Sequence, residues 1–242
     1  MLQLTLLGSP SATLDGAPLT GKLLHKDLAL LYYLAATGQR DARPHSRVAL
    51  AVLFWGDHPE AAAHASLRKS LSNLRQELGS HIAITRDDVV LMREWCTVDL
   101  WEFERLAAQG LAGSEQAPLE AAAALYRGAL LAGFGVHAAV DFEEWLRGQQ
   151  ERVRGLAVDV LAALAAAYAA RGNAAHAIAA QRRILELEPW REEAVAGAGR
   201  RSRRGGEQAA LLASPETGPA FSRRRAWHAA VTESRWAGSG VV

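Results

Sequence analysis

The 242-residue sequence predicts a mainly α-helical protein in which a small α+β unit precedes an all-α region. Apolar and polar residues alternate at the N-terminus and again over residues 81–92, as they do in half-buried strands. Between these segments the apolar residues recur at helical spacing. After Asp99 the strand patterns vanish, and Ala, Leu, Glu and Arg dominate to about Ala194. We therefore predict one domain over residues 1–98 and a second over residues 99–194.

Composition excludes several classes of protein. Half of the residues are hydrophobic and the formal net charge is only +1, which excludes a chain that is mainly disordered. The longest apolar stretch, Val160–Ala170, has 11 residues and directly follows Asp159, so no membrane span is predicted. Met1 leads into a strand pattern without the features of a signal peptide. The single cysteine, Cys96, cannot form an internal disulfide, and we expect a cytoplasmic protein.

The first elements are predicted to be a strand, LQLTLLG, and a small antiparallel sheet, because glycine and proline then interrupt the chain repeatedly. A helix is predicted from Lys22 to Ala36, where Gly38 ends it. A second helix is predicted from Ser46, as its N-cap, to Gly56. The third and longest runs from Ala61 to Leu78. Its apolar stripe is Ala63, Leu67, Leu71, Leu74 and Leu78.

After the third helix the hydrophobic period becomes two. The segments HIAIT and VVLM, on either side of Arg86-Asp87-Asp88, predict a β-hairpin with a polar turn. A short helix, a turn, a longer helix with a polar face and then a hairpin together indicate a winged helix-turn-helix. The fold class predicted for residues 1–98 is therefore an α+β winged helix-turn-helix.

The third helix carries the candidate DNA-binding residues. Its face opposite the leucines carries mostly polar side chains, several of them long, and two arginines flank that face. Lysine, arginine, asparagine and glutamine suit bidentate contacts with base edges in a major groove, whereas serine with lysine or arginine suits phosphates. A polar outer face is also what any amphipathic surface helix shows. The candidates on this helix are Arg68, Lys69, Ser72, Asn73, Arg75 and Gln76.

The second domain contains one repeat-like segment. Tyr168, Gly172, Ala177 and Pro189 have the mutual spacings of a 34-residue tetratricopeptide unit, with a turn at Gly172-Asn173. Because one repeat cannot bury its own apolar faces, helices over 119–131 and 142–154 are predicted to supply the neighbouring layers. The pattern therefore predicts an all-α tetratricopeptide-like domain, with a plain helical bundle as the alternative.

No catalytic, cofactor or metal site is predicted. Phosphate-binding glycine loops, G-x-S-x-G and H-E-x-x-H are missing from the sequence, and we expect no enzymatic activity. His58 and His64 are six residues apart, which gives no metal-ligand spacing on a helix. Carboxylates such as Glu143 and Glu144 are adjacent in sequence and so do not converge on a helix surface.

The order of these segments resembles a known family. The segments LLHKDLALLYYLAATGQR, SRVALAVLFWGD, ASLRKSLSNLRQELG, ITRDDVVLM and VDLWEFERLA are similar to the N-terminal half of bacterial transcriptional activators of the antibiotic-regulatory-protein type. LYRGALLAGF, FEEWLRGQQERVRGLAVDVLAALAAAYAARGN and HAIAAQRRILELEPWREEA resemble their tetratricopeptide-like bacterial transcriptional activator domain. The resemblance covers about residues 1–194. It implies binding to repeated promoter sites in double-stranded DNA, possible homodimerisation there, and recruitment of RNA polymerase.

The resemblance also implies roles for individual residues. Lys69, Ser72, Asn73 and Gln76 would read the major groove, and Arg68 and Arg75 would hold phosphates. At the wing tip, Arg86 would reach the minor groove or the backbone, although Asp87 and Asp88 there depart from a basic or glycine-rich wing. The acidic loop over residues 55–60 matches a segment that touches polymerase in similar activators. For Trp55 itself we predict a structural role in the core.

The last segment departs from the family pattern. Residues 195–242 are rich in Arg, Gly and Ala, and residues 197–242 carry eight arginines against three glutamates. We interpret this segment as a disordered remnant of a frameshift or truncation, with a functional basic tail as the alternative.

The predicted function is sequence-specific DNA binding by a transcriptional activator. The alternative is a tetratricopeptide-like protein-interaction scaffold without specific DNA binding. It is favoured by the near-neutral charge of residues 1–98, which carry ten basic and nine acidic side chains.

Overall fold

The structure is a computed structural model that describes residues 1–38 and 44–188, and these belong to one compact unit, Met1–Pro189. The predicted tail, residues 195–242, and residues 189–194 before it lie outside the described residues. The strands are β1 (Leu2–Thr5), β2 (Ser11–Leu14), β3 (Ala17–Pro18), β4 (His45–Ser46), β5 (Ile82–Ile84), β6 (Asp88–Leu91) and β7 (Cys96–Val98). The α-helices are α1 (His25–Thr37), α2 (Arg47–Trp55), α3 (Glu60–Leu78), α4 (Asp99–Gly113), α5 (Gln116–Leu125), α6 (Val140–Ala170) and α7 (Ala174–Leu187).

The N-terminal sheet has the strand order β3-β2-β1-β7. Leu2 and Leu4 of β1 are buried and the residue between them is exposed, which confirms the alternation predicted from the sequence. The turn from β2 to β3 uses Asp15 and Gly16, both at positive φ, as a two-residue hairpin turn requires. Strand β7 was not predicted. It pairs in parallel with β1 and closes the sheet beside α4.

The predicted hairpin is confirmed as β5 and β6, and it forms the wing. A short strand, β4, adds to it in the order β4-β6-β5, with His45 opposite Val89. Ser46 stands at the N-cap position of α2, but its side chain makes no capping hydrogen bond. The capping role predicted for Ser46 is therefore wrong, since the segment is held by strand pairing instead.

Helix α3 packs against α1 and α2, and all three helices contact the sheet β4-β6-β5. The predicted stripe on α3 is confirmed, because Leu67, Leu71, Leu74 and Leu78 are all buried. Helix α1 starts at His25, three residues later than predicted. The backbone N–H of Leu24 donates to a carboxylate oxygen of Asp27 (3.2 Å), which fixes this start.

The helical region differs from the sequence prediction in its segmentation. Helix α5 ends at Leu125, six residues before the predicted end of that helix. Helix α6 is continuous over 31 residues, so the helix predicted over 142–154 does not end there but continues into the first helix of the repeat-like segment. It continues through Gly155 because Val153 and Ala157, on either side of that glycine, are both buried.

The C-terminal half of α6 and all of α7 form the tetratricopeptide-like helix pair. Gly172 lies in the turn at φ +73°, a conformation that glycine adopts without strain. Ala177 is buried where α7 packs on α6, as the spacing predicts. Tyr168 donates a hydrogen bond from its hydroxyl to Glu120 of α5 (2.6 Å), which joins the pair to the preceding helix. The chain is thus mainly α-helical, with a winged helix-turn-helix followed by tetratricopeptide-like helices.

Helix α6 is the described helix that is long and apolar enough to cross a membrane by length and composition. Its apolar side chains, however, are used inside the fold. Phe142, Leu146, Val160 and Leu161 are buried, and the helix packs against α2, α4, α5 and α7. This is the behaviour of a core helix, which accounts for its composition without a bilayer.

Candidate nucleic-acid interface

Helix α3 has one buried and one exposed face. The stripe that includes Ala63 and Leu67 anchors it against the core, so the opposite face is held outward. Lys69, Ser72 and Gln76 are all exposed on that outer face. From Ala61 to Gln76 the helix has no acidic residue. The structure therefore brings three predicted base-contact residues together on one polar surface without carboxylates.

Asn73 occupies a different environment. It is half-buried, and its amide nitrogen donates a hydrogen bond to Asp27 of α1 (2.9 Å). Asp27 is fully buried and also accepts the backbone N–H of Leu24. A buried carboxylate that lost this donor would be left with an uncompensated desolvation cost. Asn73 therefore fixes α3 to α1, and the base-reading role predicted for it stays a prediction.

The two flanking arginines are exposed but not equivalent. Arg68 donates to the carbonyl of His64 in its own helix (3.3 Å), which leaves its guanidinium near the outer face. Arg75 donates instead to the carbonyl of Ile84 in the wing (2.6 Å). The predicted phosphate contact at Arg75 thus coincides with a bond that ties α3 to β5.

At the wing tip, Arg86 is exposed as predicted. The tip is held by Arg47 of α2, whose guanidinium donates to the carbonyls of Thr85 (3.0 Å) and Arg86 (3.2 Å). Asp87 is exposed and Asp88 half-buried, so the acidic character of the tip remains at the surface. Sequence reasoning missed Arg47, because a side chain that donates to backbone carbonyls has no partner visible in the sequence.

The loop before α3 is acidic and exposed. Asp57, His58 and Glu60 are all at the surface. Trp55, by contrast, is buried, which confirms its predicted structural role. The ammonium of Lys26 lies 5.1 Å from the centre of the Trp55 ring. Burial lowers the pKa of Lys26, although the nearby carboxylate of Asp57 raises it.

The described residues contain no group of three or more His, Cys, Asp or Glu side chains that could hold a metal ion. A cleft of about 760 Å³ lies where β7 meets α4 and α6. Charged side chains that line this cleft form ion pairs with one another: Arg105 pairs with Glu102 (2.6 Å), and Arg152 pairs with Glu104 (2.6 Å). Burial raises the pKa of the Cys96 thiol in this cleft to about 11, which keeps the thiol protonated and weakly nucleophilic at neutral pH.

Comparisons with known proteins found similarity over parts of the chain. A solved structure, Mycobacterium tuberculosis EmbR in complex with a low-affinity phosphopeptide, is similar at 21% identity and a TM-score of 0.48. The match covers 76% of this chain and 58% of that one, so this chain spans less than two thirds of the length of the EmbR chain. No curated protein sequence matches this chain.

The family described as bacterial transcriptional activator domain matches residues 98–218. The match starts where β7 passes into α4, beside the predicted boundary at residue 98. It extends past Ala194 into the segment that was interpreted as a tail. Because the match spans half of the sequence and follows a winged helix-turn-helix, the resemblance to regulators of the antibiotic-regulatory-protein type is confirmed, and the chain belongs to the bacterial transcriptional activator domain family.

Proposed function

We propose that the protein is a cytoplasmic, sequence-specific DNA-binding activator that inserts α3 into the major groove and recruits RNA polymerase. The observation that carries this proposal is the outer face of α3. Lys69, Ser72 and Gln76 are exposed there together, on a helix anchored by a fully buried leucine stripe. A rigid helix with an outward row of long polar side chains is the arrangement that reads base edges.

The dimensions of this face suit a short recognition site. The residues from Lys69 to Gln76 extend about 10 Å along the helix axis at 1.5 Å per residue. That length corresponds to about three base pairs at 3.4 Å each. In this arrangement Lys69 and Gln76 contact base edges, Ser72 lies between them, and Arg68 contacts a phosphate on the flank.

Activation requires a surface for polymerase as well as one for DNA. Asp57, in the loop that precedes α3, and Glu60, the first residue of α3, are both exposed, so this segment has the opposite charge to the outer face of the helix. Phosphates repel this loop, so it remains free for a protein partner when α3 is bound to DNA. We assign the loop to polymerase contact, and we expect two chains to occupy adjacent repeats about one helical turn apart.

The test begins with the full chain. Bound duplexes are selected from a random pool, and the affinity for the selected site is then compared with that for random DNA at two salt concentrations. Lys69→Ala and Gln76→Ala should each reduce discrimination between the two duplexes by about 1–3 kcal/mol. Lys22→Ala removes an exposed lysine outside α3 and is the matched control. Equal affinities of the wild type for selected and random duplexes would refute the proposal.

The second candidate function is a protein-interaction scaffold. Non-specific affinity for DNA comes from basic side chains that neutralise phosphates. The near-neutral charge of residues 1–98 therefore favours this second candidate. Failure of the wild-type chain to bind any duplex even at low salt would favour this candidate over the activator.

A further inference from the structure

The wing tip is bonded to both helices of the helix-turn-helix. Three consecutive carbonyls of the hairpin accept hydrogen bonds from two guanidinium groups. Arg75 of α3 donates to Ile84 (2.6 Å), and Arg47 of α2 donates to Thr85 (3.0 Å) and to Arg86 (3.2 Å). The backbone N–H of Arg47 adds a fourth bond, to the carbonyl of Asp87 (2.8 Å).

The turn itself is closed by Thr85. Its hydroxyl oxygen accepts the backbone N–H of Asp88 (3.0 Å), and its own N–H donates to the carbonyl of Asp88 (2.9 Å). These bonds fix the shape of the turn but not its position relative to the helices. The β4-β6-β5 sheet, in which Ser46 lies opposite Asp88, holds the base of the hairpin, whereas Thr85, Arg86 and Asp87 at the tip are all exposed. Beyond that strand pairing, the bonds from Arg47 and Arg75 hold the tip against the helices.

We propose that Arg47 and Arg75 are positioning residues that hold the wing tip at a fixed distance from the outer face of α3. This inference rests on the proposed function, because the fixed distance matters when α3 and the wing contact one duplex together. The contact of α3 with the duplex and the contact of the wing with the same duplex then form together. Because the wing is already ordered, ordering it does not reduce the free energy of binding.

Both arginines donate through a terminal guanidinium nitrogen, which in Arg47 serves two carbonyls and in Arg75 one. A lysine keeps the charge, but its compact ammonium is one bond closer to the backbone and does not reproduce these contacts. Arg→Lys substitutions therefore separate positioning, which needs the guanidinium, from phosphate neutralisation, which needs only the charge.

The first test uses the full chain without DNA. Hydrogen exchange of the backbone amides over residues 85–88 is compared in the wild type, Arg47→Lys and Arg75→Lys. Loss of one hydrogen bond is worth about 1 kcal/mol, so these amides should exchange about 5-fold faster in both variants. Arg68→Lys, at an exposed position bonded only within its own helix in the described contacts, should not change them. Unchanged exchange in the two test variants would overturn the proposal.

The second test measures affinity for the selected duplex as a function of salt. Arg47→Lys and Arg75→Lys should bind about 5-fold more weakly, with the salt slope of the wild type, because the number of cations is unchanged. Arg68→Ala should reduce that slope by about 0.9.

Full affinity of Arg75→Lys, together with a slope reduced by about 0.9 in Arg75→Ala, would make Arg75 a phosphate contact and overturn its positioning role. A wild-type chain without preference for any duplex would refute the proposed function, whereas the exchange data would still decide whether the two arginines hold the wing.

Discussion

The two sides of the winged helix-turn-helix differ in almost every physical respect. On one side, the outer face of α3 is polar, exposed and bonded to little else. On the other side, α1 and α2 meet α6 in an aromatic cluster, where the rings of Phe54 and Phe142 are 4.9 Å apart and those of Tyr33 and Trp145 are 4.7 Å apart. We call this second side the seam. The difference indicates that stability depends on the seam, whereas recognition depends on the face that the seam leaves free.

The seam continues through the connector, residues 126–139, between α5 and α6. The N–H of Leu131 donates to the carbonyl of Leu6 (2.8 Å), and the N–H of Gly8 donates to the carbonyl of Ala129 (3.0 Å). At Gly128 a Cβ atom would lie 3.3 Å from the Cα of Gly8, which is closer than an ordinary van der Waals contact. The connector therefore adds backbone hydrogen bonds to the apolar contacts of the seam, and the described residues on both sides of residue 98 share one core.

The largest expected effect comes from Phe142→Ala in the seam. Phe142 is fully buried against Phe54 and Trp145, and deleting such a ring leaves a cavity. We expect the free energy of unfolding to fall by about 3–5 kcal/mol, measured by denaturant titration. Val140→Ala, two residues earlier and highly exposed, is the control and should change it by less than about 0.5 kcal/mol. A loss below about 1 kcal/mol at Phe142 would show that the seam is not part of the cooperative core.

The next effect is expected from Asp99→Ala at the start of α4. The two carboxylate oxygens of Asp99 accept the N–H groups of Leu6 (2.7 Å) and Leu7 (3.1 Å), and Arg127 of the connector pairs with the same group (2.6 Å). Removing the carboxylate leaves two partly buried donors without this acceptor. We therefore expect a loss of about 2–3 kcal/mol in thermal or denaturant unfolding. The exposed Glu144→Gln should be neutral, and an equal loss in both variants would argue against a specific role of Asp99.

A smaller effect is expected from pH through His45, which joins α1 to the wing. Its ring lies 5.5 Å from that of Tyr33, and its Nε2 is 3.1 Å from the hydroxyl of Thr37. Burial lowers the pKa of His45, so the folded state binds fewer protons than the unfolded state. Stability should therefore be constant above about pH 6.5, the ordinary pKa of histidine, and fall as the pH drops below it.

The pH effect is measured by denaturant titration between pH 5 and 8. His45→Gln should flatten the dependence, whereas the exposed His137→Gln should leave it as in the wild type. A slope that persists in His45→Gln would assign the proton uptake to another group.

The sequence predicted the elements that have a local period. The leucines of α3 repeat along one face, so both the buried stripe and the exposed positions of Lys69 and Gln76 followed from the spacing. The hairpin followed from alternation in the same way. Burial of Trp55 followed from its size and apolar character.

The contacts between distant segments had no such signal. Asn73 looked like an exposed polar residue because its partner, Asp27, is 46 residues earlier in the chain. Arg75 looked like a free cation because its partner is a backbone carbonyl, which every residue possesses. The helix over 142–154 looked separate from the repeat-like segment, yet the packing of α6 on its neighbours outweighs the low helix propensity of Gly155 between them. In each case tertiary structure decided what the local pattern left open.

The smallest expected change in stability is at the recognition face itself. Lys69 is exposed and has no carboxylate partner among the described ion pairs, so Lys69→Ala should alter the free energy of unfolding by less than about 0.5 kcal/mol. The same variant should reduce discrimination for the selected duplex by about 1–3 kcal/mol. Phe142→Ala should show the opposite pattern, with a large loss of stability and unchanged discrimination in the fraction that remains folded. If Lys69→Ala instead destabilised the fold as strongly as Phe142→Ala, the outer face would be part of the core, and the division between seam and recognition face would fail.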